Sequence, residues 1–144
     1  MKIAMIGHKR IPSREGGVEI VVEELSTRMV KRDCTVHAYN RKGSHASGKK
    51  YEVSKLKEYK GIKILPVFTI DKKGLAALSS SIFATLRAVF GKYDVIHFHA
   101  EGPCAMLWLP HILGIKTVAT IHGLDHLRSK WSSFAKIYIL FGEK

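Results

Sequence analysis

The sequence predicts an α/β domain, a parallel sheet flanked by helices. Short runs of β-branched and aliphatic residues alternate with longer segments whose apolar residues recur at helical spacing, a pattern typical of βαβ units. The short runs are mostly apolar throughout, as expected of strands that helices cover on both faces. With 144 residues and 46% apolar content, the chain can bury one core and is too short for a second full domain.

Five segments have the length and composition of strands. They are residues 2–7, 35–40, 62–67, 94–99 and 116–122. Helices are predicted at residues 17–32, 74–90 and 103–113, and a fourth from residue 129 to the last residue. Gly91 and Gly114 follow the second and third helices, where a glycine commonly ends a helix. Residues 41–60 show no period and are predicted to form a long, mobile loop.

The first helix has an apolar stripe that we expect to pack on the sheet. The stripe consists of Val18, Val21, Val22, Leu25 and Met29. The polar residues expected to face away from the sheet are Glu23, Glu24, Arg28 and Lys31. This arrangement is that of an amphipathic helix on the surface of a globular domain.

The positive charge of the chain is concentrated in its middle. The net charge is +12, and residues 41–73 contain ten Lys or Arg against three acidic residues, a net +7. Such a field suits an anionic partner: a phosphate-bearing substrate, an acidic membrane surface or a nucleic acid. A nucleic acid is the least favoured, because the basic residues cluster in a loop and lack the interleaved aromatic residues of a single-strand platform.

Neither a leader peptide nor a membrane span is predicted. The first apolar run stops at His8, which is too short for a signal-peptide core. No apolar stretch reaches the ~20 residues that a span requires. Cys34 and Cys104 lack CxxC spacing and are expected to be buried free thiols. We therefore expect a cytoplasmic protein, or one held peripherally on the inner face of the membrane.

A basic loop that ends in two glycines follows the first predicted strand. It runs from His8 to Gly16 and Gly17, at the start of a helix. In an open parallel sheet, ligands bind beyond the carboxyl ends of the strands, and a helix N-terminus favours phosphate. The loop is therefore a candidate diphosphate cradle, although two glycines in a simple tight turn would look the same. It matches neither GxGxxG nor a Walker A motif.

Histidines and carboxylates follow two further strands at the same predicted edge. His97 and His99 share one face of a strand, and His122 ends the next, followed by Asp125 and His126. These side chains could ligate a metal in a hydrolase, but the best-known form of that site has Asp-His directly after the HxH pair, and Ala100-Glu101-Gly102 stands here.

The individual histidines carry different expectations. His97 is expected to have a structural, hydrogen-bonded role inside its strand. His122 precedes Gly123 at a strand end, so its ring is expected to face a ligand.

Four motifs resemble the retaining glycosyltransferases of family 4, which have the GT-B fold. They are Gly16-Gly17-Val18-Glu19 with Glu23-Glu24-Leu25, Tyr93-Asp94-Val95-Ile96-His97, Thr120-Ile121-His122-Gly123, and the opening strand. Gly123-Leu124-Asp125, Arg128, Lys130-Trp131 and Phe141-Gly142-Glu143 are similar to a subgroup described as rhamnosyltransferases of bacterial surface-polysaccharide assembly. Two departures are His126, where the subgroup has an aromatic residue, and Asp33-Cys34, where it has Gly-His.

The resemblance implies that residues 1–144 are the single N-terminal, Rossmann-like, acceptor-side half of a two-domain enzyme. The donor-binding domain with its paired glutamates is then absent, and this chain alone is expected to be inactive. The implied activity is transfer of a hexosyl or rhamnosyl group, with retention, from a nucleotide sugar to a glycan or lipid-linked acceptor in surface-polysaccharide (capsule or cell-envelope) synthesis. The nucleotide sugar is a substrate, and neither a cofactor nor a metal is expected.

The resemblance also implies roles for individual residues. The catalytic residue is His122, which would contact the transferred sugar, and Gly16 and Gly17 would contact the donor diphosphate. The residues expected on the acceptor side are Arg14, Glu15, Glu101, Asp125, Arg128 and Lys130. Glu19 and Glu23 are expected to be structural. An anionic membrane surface is an expected partner and a nucleic acid is not. The alternatives are a non-enzymatic nucleotide- or nucleic-acid-binding domain and the metal-dependent hydrolase.

Overall fold

Six strands form one sheet in the computed structural model, which describes residues 1–43, 56–72 and 75–123. In chain order they are β1 Lys2–Ile6, β2 Thr35–Arg41, β3 Glu58–Tyr59, β4 Ile62–Val67, β5 Val95–His99 and β6 Lys116–Thr120. The helices are α1 Gly17–Val30, α2 Leu75–Val89, α3 Glu101–Cys104 and α4 Trp108–Ile112. The strand order is β3-β4-β2-β1-β5-β6, and all neighbours are parallel except β3 and β4. The predicted fold class is confirmed.

All five predicted strands are present, each within two residues of its predicted limits. The sequence did not reveal β3, because a strand of two residues has no measurable period. β3 pairs with β4 through a turn at Lys60 and Gly61, which have φ values of 49° and 78°. Positive φ at both central residues is what a tight hairpin in a twisted sheet requires. The predicted loop 41–60 therefore loses residues at both ends, and its residues 44–55 lie outside the described part of the chain.

The third predicted helix, residues 103–113, is wrong as one element. The structure has two short helices, α3 and α4, with a turn between them. Pro110 explains the break, because it cannot donate to the carbonyl of Met106 and its ring would clash with that carbonyl in a continuous helix. The N–H of Leu109 instead bonds to Met106 one residue early, at 3.3 Å. The fourth predicted helix, from residue 129, lies outside the described residues.

The end of α1 accounts for the departure at Asp33. The N–H of Cys34 bonds back to the carbonyl of Met29 at 3.1 Å, and Asp33 has a φ of 60°. A left-handed residue is the common way to close a helix, and glycine is preferred there. Asp33 therefore takes, with some strain, the backbone conformation that a glycine adopts freely at this position.

Two apolar cores lie on opposite faces of the sheet. Along β1, Ala4 and Ile6 face one core with Phe98 and Ala84, whereas Ile3 and Met5 face the other. The first core is closed by α2 and the second by α1, where Val22 is fully buried. Both faces of the central strands are thus covered, which explains why those strands are apolar at successive positions.

The buried face of α1 differs from the prediction. The helix buries Glu19, Val22, Glu23 and Ser26, whereas Val21, placed in the apolar stripe from the sequence, is exposed. Glu23, which was expected to face away, is 1% exposed because its Oε1 accepts hydrogen bonds from three side chains. The donors are Arg14 (3.3 Å), Tyr59 (3.2 Å) and Lys60 (3.1 Å). These three bonds to Oε1 offset part of the cost of burying the carboxylate, whose Oε2 has no hydrogen-bond partner in the described part of the chain.

Two further expectations from the sequence concern the cysteines and the absence of a membrane-spanning segment. Cys34 and Cys104 are both free; Cys104 is buried, as expected, whereas Cys34 is half-buried. Among the residues that the structure describes, no helix is long and apolar enough to cross a membrane.

The approach of β1 to β5 is closest just beyond their paired residues. A Cβ added to Gly7 would lie 2.1 Å from the backbone oxygen of His99, and Gly7 has a φ of 114°. Neither the carbonyl nor the conformation leaves room for a side chain. Gly7→Ala is therefore expected to lower the free energy of unfolding by at least about 3 kcal/mol in urea titrations.

Gly17→Ala is the matched control for this experiment. An added Cβ at Gly17 meets nothing within 4 Å, and alanine favours the helix, so stability is expected to change by less than about 1 kcal/mol. Equal stabilities of the two variants would contradict the close packing of β1 on β5.

Candidate functional site

The carboxyl ends of the parallel strands bring polar side chains to one edge of the sheet. His8 follows β1, Arg41 ends β2, His99 ends β5 and His122 lies two residues after β6. Since β2, β1, β5 and β6 are consecutive in the sheet, these four residues lie along one continuous rim. Ligands of open α/β sheets bind at this kind of edge.

Three imidazoles form a stack on that rim. The ring centroids of His97 and His99 are 4.1 Å apart, and those of His99 and His122 are 5.4 Å apart. Nδ1 of His99 lies 3.1 Å from Nε2 of His122. Nε2 of His97 lies 2.7 Å from Oγ1 of Thr120, so His97 bridges β5 to β6. The stack joins a half-buried histidine, His122, to a fully buried one, His99.

Burial keeps the two inner rings of this stack, His97 and His99, uncharged. It lowers the pKa of His99 far below its usual value, and the neighbouring His97, His8 and His122 add to the shift. Burial also lowers the pKa of His97, with a contribution from His122. Desolvation disfavours the imidazolium, and several histidines in contact cannot all be charged. His97 and His99 are therefore neutral at pH 7.

The hydrogen bonds of Asn40 define the tautomer of His8. Asn40 Oδ1 accepts from the N–H of Ile11 at 3.0 Å, and its Nδ2 donates to the Ile11 carbonyl at 2.8 Å. These two backbone partners exclude a flipped amide. Nε2 of His8 lies 3.0 Å from the same Oδ1 and so carries the hydrogen. Burial lowers the pKa of His8 to about 4, which leaves Nδ1 as a bare lone pair.

The loop between β1 and α1 is tied to its surroundings at several points. The carbonyl of Lys9 accepts from the N–H of Arg41 at 2.8 Å, and the N–H of Lys9 donates to Glu19 at 2.9 Å. The carboxylate of Glu19 folds back over the helix start, where a Cβ on Gly16 would lie 2.2 Å from its Oε2. Gly16 has an extended backbone, with φ of −149°, so its conformation does not require glycine, and a larger residue would have to displace the Glu19 carboxylate.

Arg41, which is half-buried, brings a positive charge to the same rim. Its Nη2 donates to the carbonyl of Gly7 at 3.3 Å. Burial lowers the pKa of its guanidinium to about 10, and the carboxylate of Glu19 opposes the shift. The group therefore stays charged at pH 7 and is a fixed cation beside the loop.

The predicted site residues fall into three groups. Gly16 precedes α1 and Gly17 is its first residue, and the exposed Arg14 and Glu15 lie in the preceding loop. Glu101, expected on the acceptor-side rim, is instead 0% exposed at the start of α3. Although Glu101 is acidic and begins a helix directly after a strand, its side chain lies in the interior. The remaining residues, Asp125, Arg128 and Lys130, lie outside the described part of the chain, as does His126.

The sequence did not single out Asn40 and Arg41. They are two successive polar residues at the carboxyl end of a strand, which is the signal that could have indicated them. Both residues contact the loop between β1 and α1, more than 25 residues away in the chain, and no local pattern encodes those contacts.

Among the described residues, the histidines are not grouped with other ligands in a way that would hold a metal ion. In residues 1–43, 56–72 and 75–123, no group of three or more His, Cys, Asp or Glu side chains is arranged to hold a metal ion. His97 and His99 instead use a ring nitrogen for hydrogen bonds within the stack and to Thr120.

A family model described as Glycosyltransferase Family 4 matches residues 15–143, which is 129 of the 144 residues. No curated protein matches the chain at a significant level. The matched span includes the helix start at Gly16 and the rim residues Arg41, His99 and His122.

The buried neutral imidazole of His8 predicts a loss of stability in acid. Its pKa is about 4 in the folded chain and about 6.5 when unfolded. Because the folded-state pKa is the lower one, this stabilisation is complete above pH 6.5 and is lost as the pH falls toward 4. The loss amounts to about 1.4 kcal/mol per pH unit, or roughly 3 kcal/mol in all.

His8→Gln tests this assignment, because its side-chain amide can replace the Nε2–H donor to Asn40 without titrating. We expect its stability, measured by urea unfolding at pH 7 and pH 4, to fall by roughly 3 kcal/mol less than that of the unmodified chain. His111→Gln, at an exposed histidine, is expected to retain the unmodified pH profile. Identical profiles for His8→Gln and the unmodified chain would show that His8 is not buried and neutral.

Proposed function

The chain belongs to glycosyltransferase family 4, and on that premise we propose that it is the N-terminal, acceptor-side half of a retaining, nucleotide-sugar-dependent transferase. The observation that carries the proposal is the position of His122. It lies at the carboxyl edge of the sheet, within the matched span, and is the half-buried end of a histidine stack whose other members are buried. A side chain there is held by the fold and still reaches the surface.

His122 is proposed to contact the transferred sugar. One of its ring nitrogens is bonded to His99 at 3.1 Å, so the other is available to a ligand. A hydrogen bond from a held imidazole costs little reorganisation when charge develops on the sugar, which is the condition for strong transition-state stabilisation.

The start of α1 is proposed to bind the donor diphosphate. The first N–H groups of a helix have no intrahelical partner, and the helix dipole favours negative charge there. Gly16 and Gly17 add no side chain of their own to this backbone, and the carboxylate of Glu19 lies beside Gly16. The half-buried cation of Arg41 adds positive charge next to the same loop.

The proposed chemistry is transfer with retention through an oxocarbenium-like transition state. Helix N–H groups and cations would stabilise the departing diphosphate, so the mechanism requires no metal or other cofactor. A second domain holds the nucleotide, and residues 1–144 alone are then inactive. On the acceptor side, the proposal retains Arg14 and Glu15 in the exposed loop, and Asp125, Arg128 and Lys130 from the sequence. Glu101 is buried, so it would lie beneath the acceptor-side surface and not form part of it.

The acceptor is proposed to be a glycan or a lipid-linked glycan of surface-polysaccharide synthesis, with a hexosyl or rhamnosyl group transferred. The support is the likeness of the segment after His122 to the rhamnosyltransferase-like subgroup and the basic charge of residues 41–73, ten Lys or Arg against three acids. A lipid-linked acceptor lies at a membrane, and a cytoplasmic enzyme that reaches it benefits from attraction to anionic lipid.

His122→Ala, made in the full-length protein, is expected to lower kcat far more than it lowers stability or donor affinity. Loss of a hydrogen bond that strengthens in the transition state costs about 2–4 kcal/mol, or roughly 30- to 1000-fold in rate. Turnover, melting temperature and donor affinity are measured on one preparation. His111→Ala, at an exposed histidine on α4, is the control, with near-native turnover expected.

The outcomes of that experiment separate two roles. Near-native turnover of His122→Ala would remove this histidine from the site. A drop in turnover that matches the loss of folded protein, with donor binding falling in parallel, would assign His122 to the core.

Residues 41–73, the basic segment, are expected to bind anionic vesicles in a salt-sensitive manner. Replacing Lys49, Lys50 and Lys55 by serine removes three charges, each worth about 1 kcal/mol near an anionic surface, so binding should weaken roughly 100- to 200-fold. Replacing the exposed Arg28, Lys31 and Arg32 on and after α1 by serine removes the same charge elsewhere and is the control. Co-sedimentation at low and high salt provides the measurement. Equal binding to neutral vesicles, or binding unchanged at high salt, would exclude this role.

A further inference from the structure

The His99–His122 pair carries information about the chemistry that His122 can perform. We infer that His99 is a positioning residue that holds His122 as its Nδ1–H tautomer, so that His122 presents a hydrogen-bond donor, and not an acceptor, to its ligand. The inference rests on the proposed function for the identity of that ligand, a sugar. The hydrogen-bond geometry of the two rings can be tested without it.

His99 has only one N–H to place. The side chain is 0% exposed, and burial together with three neighbouring histidines lowers its pKa far below neutrality. A neutral imidazole carries a hydrogen on one nitrogen and a lone pair on the other. The contact to His122 uses Nδ1, so the question is which nitrogen of His99 is protonated.

The second nitrogen of His99 decides between the two arrangements. Nε2 is buried and has no hydrogen-bond partner in the part of the chain that the structure describes. If the hydrogen were on Nε2, the fold would bury an unpaired N–H group, and such groups are rare in native proteins. With the hydrogen on Nδ1, the only unpaired group is a lone pair, and the N–H is used in the bond to His122.

The neighbouring His8 provides an internal example of the same choice. Its Nε2–H donates to Asn40 Oδ1 at 3.0 Å, and its Nδ1 is the buried nitrogen without a partner in the described residues. Here the tautomer follows from the backbone bonds of Asn40 alone. At this rim, therefore, a buried neutral imidazole already uses its N–H within the protein and leaves a bare lone pair.

His99 is held rigidly enough to orient another ring. It ends β5, where its backbone oxygen is in contact with Gly7. Its ring is stacked on His97, with an interplanar angle of 29°, and His97 is in turn bonded to Thr120. His122 lies beyond β6 and has no strand pairing of its own. The ring of His122 is therefore oriented by a side chain that the sheet has already fixed.

The consequence is a restriction on mechanism. When Nδ1–H of His99 donates to Nε2 of His122, the neutral His122 carries its hydrogen on Nδ1. That group can donate to an oxygen of the bound sugar, and the bond strengthens if the oxygen gains negative charge. It cannot accept a proton, so His122 in this state is not a general base.

Nitrogen NMR on the [¹⁵N]histidine-labelled chain tests the tautomer directly. Two-bond proton–nitrogen correlations distinguish a protonated Nδ1 from a protonated Nε2 in each ring. At pH 7.5 we expect protonated Nδ1 in both His99 and His122. A protonated Nε2 in His122 would overturn the inference, whatever the enzyme's activity.

Two substitutions test the positioning role. His99→Asn places an amide N–H near the position of Nδ1 and is expected to preserve the His122 tautomer. His99→Leu removes the donor, so His122 is expected to populate both tautomers. In the full-length protein we expect kcat to fall roughly 10- to 100-fold in His99→Leu, with KM for the donor little changed, and to recover at least partly in His99→Asn.

The readouts separate the two hypotheses. If the His122 tautomer is unaffected by either substitution, His99 does not position it, and the inference fails. If the tautomer changes in His99→Leu while turnover does not, His99 positions His122 but the proposed catalytic role of His122 fails. Should His99→Leu not fold, the spectrum of the unmodified chain and of His99→Asn still decides the tautomer.

Discussion

The parallel pairing of β1 with β5 is the constraint on which the functional rim depends. Ile6 is in register with Phe98, and just beyond this pair Gly7 meets the backbone of His99 at a distance that excludes any Cβ. From this contact His8 is placed against Asn40 on one side, and His99 against His122 on the other. A displacement of either strand end would separate both of these contacts, because each depends on distances set by the pairing of the strands.

Buried polar groups hold the loop that follows β1. Loops at ligand sites are commonly mobile, but this one is bonded to the end of β2 through Asn40 and Arg41 and to α1 through Glu19. Inside a protein such bonds are strong, and leaving one unmade is costly. These bonds hold the backbone of the loop in one conformation. A helix start that binds an anion requires such a preorganised backbone.

The strands and the family resemblance were predictable from the sequence because both are local in the chain. A covered parallel strand is a short apolar run whatever it packs against, so every predicted strand lies within two residues of its observed limits. The convergence of His99 and His122 followed from topology alone, since parallel strands end at one edge. The predicted buried face of α1 was wrong, because hydrophobicity alone places Glu23 on the exposed side. Its burial depends on three hydrogen-bond donors from other parts of the chain.

By itself the sequence determined the class of fold, the edge at which the parallel strands end and the residue types present there, because periodicity and strand order require only neighbouring residues. The tertiary structure alone decided which polar groups are interior and in what state. The tautomer of His8, the charge of Arg41 and the burial of Glu101 depend on partners and on desolvation. Those partners lie on elements far apart in the chain, and desolvation exists only once those elements have packed together.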